Sequence, residues 1–489
     1  MNTDDRHTNS NTPTPDKQPF SEEEVSGVDD LLDTLGKPQN TDTGNARRLV
    51  GLHQGLMRYC SDFGKWLVWK DGYWKVDYEG IIQKYVLRTI SSMVIEASAM
   101  GSDRDKTALW KWALKSQSYF NIKSMVAIAK ELEGIPIRQE ALDTDPYLLT
   151  CTNGTLDLES GKFQEHDANN LITKTTAVAY DPAATCPRWE QFLREILPDN
   201  SMQEFMQRAV GYSLSGDVSA RAFFILHGSG KNGKSTFLNT IQHLMKDYAT
   251  STPTSTLKVK GRNSGDSIPN DLACLRGARL VTAYESGKSM SLDEGKIKQL
   301  SGGDPISARF LRAEFFTYTP VFKLWLSTNN RPIIRGTDAA IWDRVHLCPF
   351  NVRVGDNDLV EDPRLREALY EELPGILNWG VEGFKWFQKD GLGIAFQVLE
   401  AVGKYREDMD TLAVFIETNY TIDMLGRVQT SVVYEDYRTW CKDNGEYHMS
   451  TSWLKGELES RGFRYEHSRD ARYFLGITKS YSGGSKDES

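Results

Sequence analysis

Apolar and polar positions along the chain change period several times, and each change marks a predicted element. Between residues 46 and 186 two alternating runs read as hairpins. One covers 66–74 and turns at Asp71-Gly72; the other covers 154–165 and turns at Ser160-Gly161. Between them, 81–99 and 106–132 carry apolar residues at helical spacing, which predicts two helices. From 187 to about 354 short apolar runs alternate with helical segments, the pattern of an α/β layer. Helices are then expected at 364–373, at 375–387, opened by Pro374 in its first turn, and at 396–409. The last stretch predicts helices near 412–418, 431–443 and 451–461, then strands at 463–467 and 473–477. That order matches a winged-helix module with 451–461 as recognition helix, and modules of this kind grip either DNA or protein.

Composition adds boundaries rather than elements. Residues 1–45 hold ten acids against three bases, so this segment carries −7 of the total charge of −9. It reads as a disordered acidic tail with one short helix near 28–35, and 481–489 as a second disordered tail. The remainder is close to neutral, which neither excludes nor supports DNA, because binding follows the local field. No apolar run approaches the ~20 residues that span a bilayer, and the N-terminus has no apolar signal core. The six cysteines are scattered without a CxxC, which argues against zinc and disulfides and fits a reducing cytoplasm. The expected organisation is therefore a tail (1–45), a mixed α+β domain (46–186), an ATPase domain (187–355), a helical connector (356–410) and the winged-helix-like domain (411–480).

The chemistry concentrates in the α/β stretch. The apolar run 223–226 leads into Gly228-Ser229-Gly230-Lys231-Asn232-Gly233-Lys234-Ser235 and a helix beginning at Thr236. This is GxxxxGK[ST] between strand and helix, where backbone N–H groups and a helix N-terminus cradle phosphates. Lys234 is expected on the β- and γ-phosphates and Ser235 on Mg²⁺, with ATP as nucleotide. A second apolar run ends in Glu285, whose carboxylate is placed to hold the metal shell and orient the attacking water. A third ends in Ser-Thr-Asn329; this amide either contacts the γ-phosphate or simply forms a turn. Arg335 and Arg344 follow, each read either as a guanidinium for a neighbour's γ-phosphate or as a solvated arginine.

The phrases KQLSGGDP (298–305), FKLWLSTNN (322–330) and RGTDAAIWDR (335–344), with TNGTLDLESGKF (152–163) and LITKTTAVAYDP (171–182), resemble superfamily 3 helicases. The likeness is to the phage and plasmid primase–helicases and to the poxvirus primase–helicase. It implies an AAA+-like core and a ring, usually of six subunits, that hydrolyses ATP with Mg²⁺ and pulls single-stranded DNA from a forked duplex. The C-terminal module would then grip duplex or a replication partner. It also implies that Glu285 is the acidic motif, Asn329 the sensor, and Arg344, ahead of Arg335, a finger acting in trans. Lys298, Arg309, Phe310 and Arg312 would face the DNA channel, in a region, 257–312, with ten Lys/Arg against six Asp/Glu.

One departure stands out: Tyr284 precedes Glu285 where many relatives present two adjacent acids. The Asp-x-Asp pairs that a primer-synthesising core would need (103/105, 143/145, 356/358, 408/410) do not end apolar strands, which speaks against priming. A bifunctional primase–helicase and an ATP-switched DNA-binding initiator are the rival functions.

Overall fold

Thr41, in extended backbone, opens the first helix: its hydroxyl accepts the Gly44 N–H at 3.0 Å, a cap worth about 1 kcal/mol. The computed structural model describes residues 39–259, 270–285, 290–310, 315–336, 338–355, 361–444 and 446–480. The short helix near 28–35, residues 1–38 of the expected first tail and all of 481–489 lie outside these residues; the expected tail's last residues, 42–45, instead open the first helix, with Asn45 buried. The described chain folds as two units, 39–144 with 165–174, and 145–164 with 175–480.

In the first unit α1 (Asp42–Leu52) precedes β1 (Met57–Cys60), β2 (Lys65–Lys70) and β3 (Tyr73–Val76), followed by α2 (Ile81–Ser98), α3 (Asp103–Ser116), α4 (Tyr119–Ala129) and β4 (Pro136–Ile137). The sheet order is β3-β2-β1-β4, with only β4 joined in parallel. The first predicted hairpin forms, with Asp71 and Gly72 at φ of 54° and 82°. Trp74 is buried and donates its indole N–H to Ala168 O at 2.8 Å, so this tryptophan is core. The single helix predicted over 106–132 is instead two, α3 and α4. The backbone at Ser118 is extended, and its hydroxyl accepts the Asn121 N–H to start α4 afresh. Buried Asn45 holds α3 in place: its amide donates to Ser116 Oγ at 2.8 Å and accepts the Trp112 indole N–H at 2.9 Å.

The second unit begins with a small antiparallel sheet, β5 (Leu148–Cys151), β6 (Gly154–Asp157) and β7 (Phe163–Gln164), which contains the second predicted hairpin. Two helices follow, α5 (Pro187–Ile196) and α6 (Asn200–Leu214). The main layer then runs β8 (Phe223–His227), α7 (Lys234–Met245), β9 (Ala249–Ser251), α8 (Asn270–Ala273), β10 (Leu280–Glu285), α9 (Glu294–Gly302), β11 (Ile306–Ala308), β12 (Phe316–Tyr318), β13 (Lys323–Thr328), α10 (Ala339–Trp342) and β14 (Val345–Pro349). Five of these strands make one parallel sheet in the order β14-β8-β13-β10-β9. Both faces are covered, which explains why its central strands carry consecutive apolar residues rather than alternating ones. Phe224, Leu226 and Trp325 face one core, and Phe223, Ile225, Leu324 and Leu326 the other.

Three helices close the first core: α11 (Leu365–Glu371), α12 (Leu373–Asp390), with Pro374 in its first turn, and α13 (Phe396–Met409). Glu372 accepts the N–H groups of Arg188 and Trp189, at 3.0 and 2.9 Å, and so caps α5. α6 and α12 cross closely enough that a Cβ on Gly211 would lie 2.1 Å from Phe384 N. Beyond them come α14 (Thr411–Asn419), β15 (Tyr420–Gln429), α15 (Thr430–Asp443), α16 (Thr451–Ser460), β16 (Arg464–His467) and β17 (Arg472–Lys479), with sheet order β15-β17-β16. Three helices and two strands were expected here; β15 is additional. Arg461 grips Asp410 with two bonds of 2.9 and 2.7 Å, joining this region to the end of α13. All six cysteines are free, and among the described residues no helix is long and apolar enough to cross a membrane.

Candidate nucleotide site

β8 delivers the chain to the carboxyl edge of the parallel sheet, where it must turn sharply into α7. Gly230, Lys231 and Gly233 make the turn at φ of 98°, 49° and 81°, in the left-handed region that favours glycine. At Gly228 the constraint is contact rather than angle. A Cβ there would lie 2.0 Å from the Asn232 amide nitrogen and 2.3 Å from Phe350 O. Asn232 is itself buried and donates to Phe350 O at 2.9 Å, pinning the loop to the end of β14. Ser229 is exposed on the turn, and Lys231 reaches outward to Glu361 at 3.6 Å.

Lys234, the first residue of α7, is only 4% exposed. Its Nζ donates to Gly228 O (2.8 Å), Asn232 Oδ1 (2.9 Å) and Asn329 Oδ1 (3.2 Å), all neutral acceptors. Burial pulls its pKa down to about 8. A buried ammonium held by neutral oxygens at a helix N-terminus is a place for an anion, and a phosphate fits it. The loop, with Ser235 and Thr236 at the start of α7, lines a cavity of about 440 Å³. That volume lies in the range of small-molecule sites.

Glu285 and Asn329 come to the same cavity from the ends of β10 and β13. The sheet register sets Glu285 beside Thr328, so one strand end carries the acid and its neighbour the amide. Tyr284, in the place of a second acid, also lines the cavity and donates its hydroxyl to Asn239 of α7 at 2.9 Å. Glu285 is therefore the carboxylate at the end of β10. With the Ser235 hydroxyl it forms the donor set that would hold Mg²⁺, and the hard oxygen ligands suit that ion. Bound Mg²⁺ would screen the phosphate charge and polarise the bond to the leaving group.

Sequence reasoning missed Lys258. Its ammonium lies 3.0 Å from the Glu285 carboxylate, whose side chain is 5% exposed. This lysine follows β9 in a loop and carries no periodic or motif signal. A cation on the carboxylate competes with a divalent metal for it, so Lys258→Met is expected to lower the Mg²⁺ concentration for half-maximal hydrolysis several-fold. A magnesium titration of the variant checks this; an unchanged midpoint removes Lys258 from the site.

The depressed Lys234 pKa gives a further prediction. A phosphate beside the ammonium raises its pKa again, so binding takes up a proton once the free lysine has begun to lose its own. Nucleotide affinity is expected to hold below about pH 8 and to weaken tenfold per pH unit well above it, until the pKa of the bound form is reached. Calorimetry in buffers of different ionisation heat reads the proton uptake directly.

The remaining predicted site residues lie elsewhere. Arg344 immediately precedes β14, and Val345 pairs with Phe223 at the start of β8, whereas the phosphate loop leaves the other end of that strand. The two are separated by the strand's length, about 16 Å at ~3.3 Å per residue. Arg344 is half-buried and its guanidinium donates to Ala340 O. Arg335 is exposed on the loop after β13, with its guanidinium 5.8 Å from the Tyr447 ring. β11 and β12 form an antiparallel hairpin. Near its tip Phe310 stacks on Phe316 (5.5 Å), and Arg309 lies over Phe315 (4.9 Å). Arg312 lies outside the described residues. Lys298 sits on α9 rather than on the hairpin and is ion-paired with Asp338.

Of the Asp-x-Asp pairs, 356/358 lies outside the described residues. Asp103 and Asp105 are in the first turn of α3, Asp143 and Asp145 accept backbone N–H groups, and Asp408 and Asp410 pair with Arg331 and Arg461.

Residues 46–198 match the family model described as D5 N terminal like, and 226–344 match a family of unknown function, DUF5906. "Putative helicase L207/L206" of Acanthamoeba polyphaga mimivirus is 29% identical over 62% of this chain and 34% of its own length. "Putative helicase 184R" of Invertebrate iridescent virus 6 is 24% identical over 67% of this chain and 38% of its own. "Putative primase C962R" of African swine fever virus (isolate Tick/Malawi/Lil 20-1/1983) is 22% identical over 57% and 31%. The matched region thus spans about a third of these relatives' length. The glycine loop, the strand-end acid and amide, and the two successive family matches agree: over 46–198 and 226–344 the chain is similar to the D5-type primase–helicases.

Proposed function

We propose that the chain is an ATP-dependent, ring-forming DNA helicase of superfamily 3, acting in replication of a phage, plasmid or integrated element. The observation that carries this is the contact of buried Lys234 with Asn329 across the β8–β13 pair, with Glu285 lining the same cavity. A group that touches both the phosphate loop and the amide of a neighbouring strand feels the γ-phosphate come and go. That is what converts hydrolysis into movement rather than simple binding.

The parallel five-stranded sheet supports an AAA+-like core over 187–355, and 411–480, with its helices and antiparallel strands, a winged-helix-like module. Arg344, out of reach of its own loop, suits a ring, usually a hexamer, in which it serves the next subunit. The hairpin bearing Arg309 and Phe310 would face single-stranded DNA in the channel. The site of action would be the cytoplasm.

Unwinding of a forked duplex tests the reading. ATP should separate the strands and a non-hydrolysable analogue should not. ATP-dependent DNA binding without strand separation would instead favour a switched initiator, and primer synthesis by the chain alone a bifunctional enzyme.

A further inference from the structure

The corner between α3 and α4 in the first unit has a composition unlike its surroundings. From residue 106 to 130 the chain carries five lysines and no acid. Asp103 and Asp105 precede them in the first turn of α3. Four of these lysines, Lys106, Lys111, Lys115 and Lys123, are exposed. Large aromatic rings stand among them: Trp110 is 48% exposed, and Tyr119 and Phe120 are each 73% exposed.

Their spacing organises them. Lys106 and Trp110 are four residues apart on α3, as are Lys111 and Lys115 on the adjoining row. Tyr119 and Phe120 open α4, where Lys123 lies over the Tyr119 ring at 4.5 Å. Buried Leu109 and Ala113, and Asn45 bonded to Trp112 and Ser116, fix the other face of α3 to the unit's core. The helix break at Ser118, unforeseen in the sequence, is what sets Trp110 and Phe120 on two elements of one corner.

Exposed aromatic faces cost hydration in a free protein, and a lysine-rich face whose only carboxylates from 103 to 130 are Asp103 and Asp105 at one end attracts a polyanion. We propose that this corner is a binding platform for single-stranded nucleic acid, with Trp110 and Phe120 stacking on bases and Lys106, Lys111, Lys115 and Lys123 following the phosphates. It deepens the helicase reading, on which it rests only for the choice of polyanion, and is separate from the β11–β12 hairpin.

The test uses the full chain without nucleotide and a fluorescein-labelled oligothymidylate read by anisotropy. Trp110→Ala with Phe120→Ala is expected to weaken binding by about tenfold or more, while Trp110→Phe with Phe120→Tyr keeps it. Lys111→Gln with Lys115→Gln should flatten the slope of log affinity against log salt by about 1.4, two phosphate contacts at ~0.7 each. These side chains are exposed, so melting temperature and basal ATPase should not change. Unaltered affinity and slope in all variants overturn the platform. So does unaltered affinity with a smaller assembly by light scattering, which would make the corner a subunit contact. ATPase stimulation by the same DNA is measured in parallel. If it persists while the variants bind normally, the platform fails alone; if the wild type neither binds nor responds, the helicase reading fails with it.

Discussion

Lys234→Ala is expected to abolish ATP hydrolysis, lowering kcat/KM by on the order of 10³-fold, while the protein stays folded. The ammonium is the one buried cation facing the phosphate cavity among its described lining residues, and its three acceptors are neutral. Its removal leaves the phosphate charge opposed only by backbone N–H groups and the α7 dipole. On stability two terms oppose each other. Gly228 O, Asn232 and Asn329 lose a donor, at about 1–3 kcal/mol per buried unsatisfied group. Against this, the variant no longer carries a cation whose desolvation is already visible in the depressed pKa. Thermal melting should therefore move little while turnover disappears. Lys234→Arg should not rescue, since a planar guanidinium cannot place one nitrogen within bonding distance of Gly228 O, Asn232 and Asn329 together, as the lysine Nζ does. Substantial residual turnover in Lys234→Ala would place the nucleotide elsewhere.

Arg344→Ala should remove hydrolysis by about 10³–10⁵-fold and leave nucleotide binding nearly unchanged, the pattern of a group that meets charge only in the transition state. The residue sits at the start of β14, about a strand's length from the phosphate loop of its own chain, so an effect on its own ATP would require a path the fold does not offer. Mixing the two variants gives the decisive assay. In a ring, some interfaces then combine an intact Lys234 from one subunit with an intact Arg344 from the next, and part of the activity returns. No return at any ratio would assign Arg344 a structural role through the bond of its guanidinium to Ala340 O. Arg335→Ala is the companion measurement.

Legibility in the sequence followed how local each feature is. The strand, glycine loop and helix around Lys234 are contiguous, so spacing alone identifies them. The strands leading to Glu285 and Asn329 are legible as largely apolar runs because both faces of the sheet are covered. Their meeting with Lys234 is not legible, because it depends on the sheet order placing β13 next to β8. Lys258 lies in a loop 27 residues before its partner, and no pattern links the two. The break between α3 and α4 was hidden because Gln117 and Ser118 do not interrupt the helical spacing of apolar residues on either side. β15 was missed for the opposite reason. Its pairing with β17 jumps from Ile422 to Arg427, so the run lacks the alternation by which a strand is recognised.

The central claim, a motor whose ATP site answers to DNA, is tested most directly by ATP hydrolysis of the full chain with and without single-stranded DNA, with assembly size measured in the same buffer. Turnover is expected to rise on adding DNA and to come from a ring near six protomers. Turnover that ignores DNA, or that comes from a monomer, would contradict it and leave a nucleotide switch in place of a helicase.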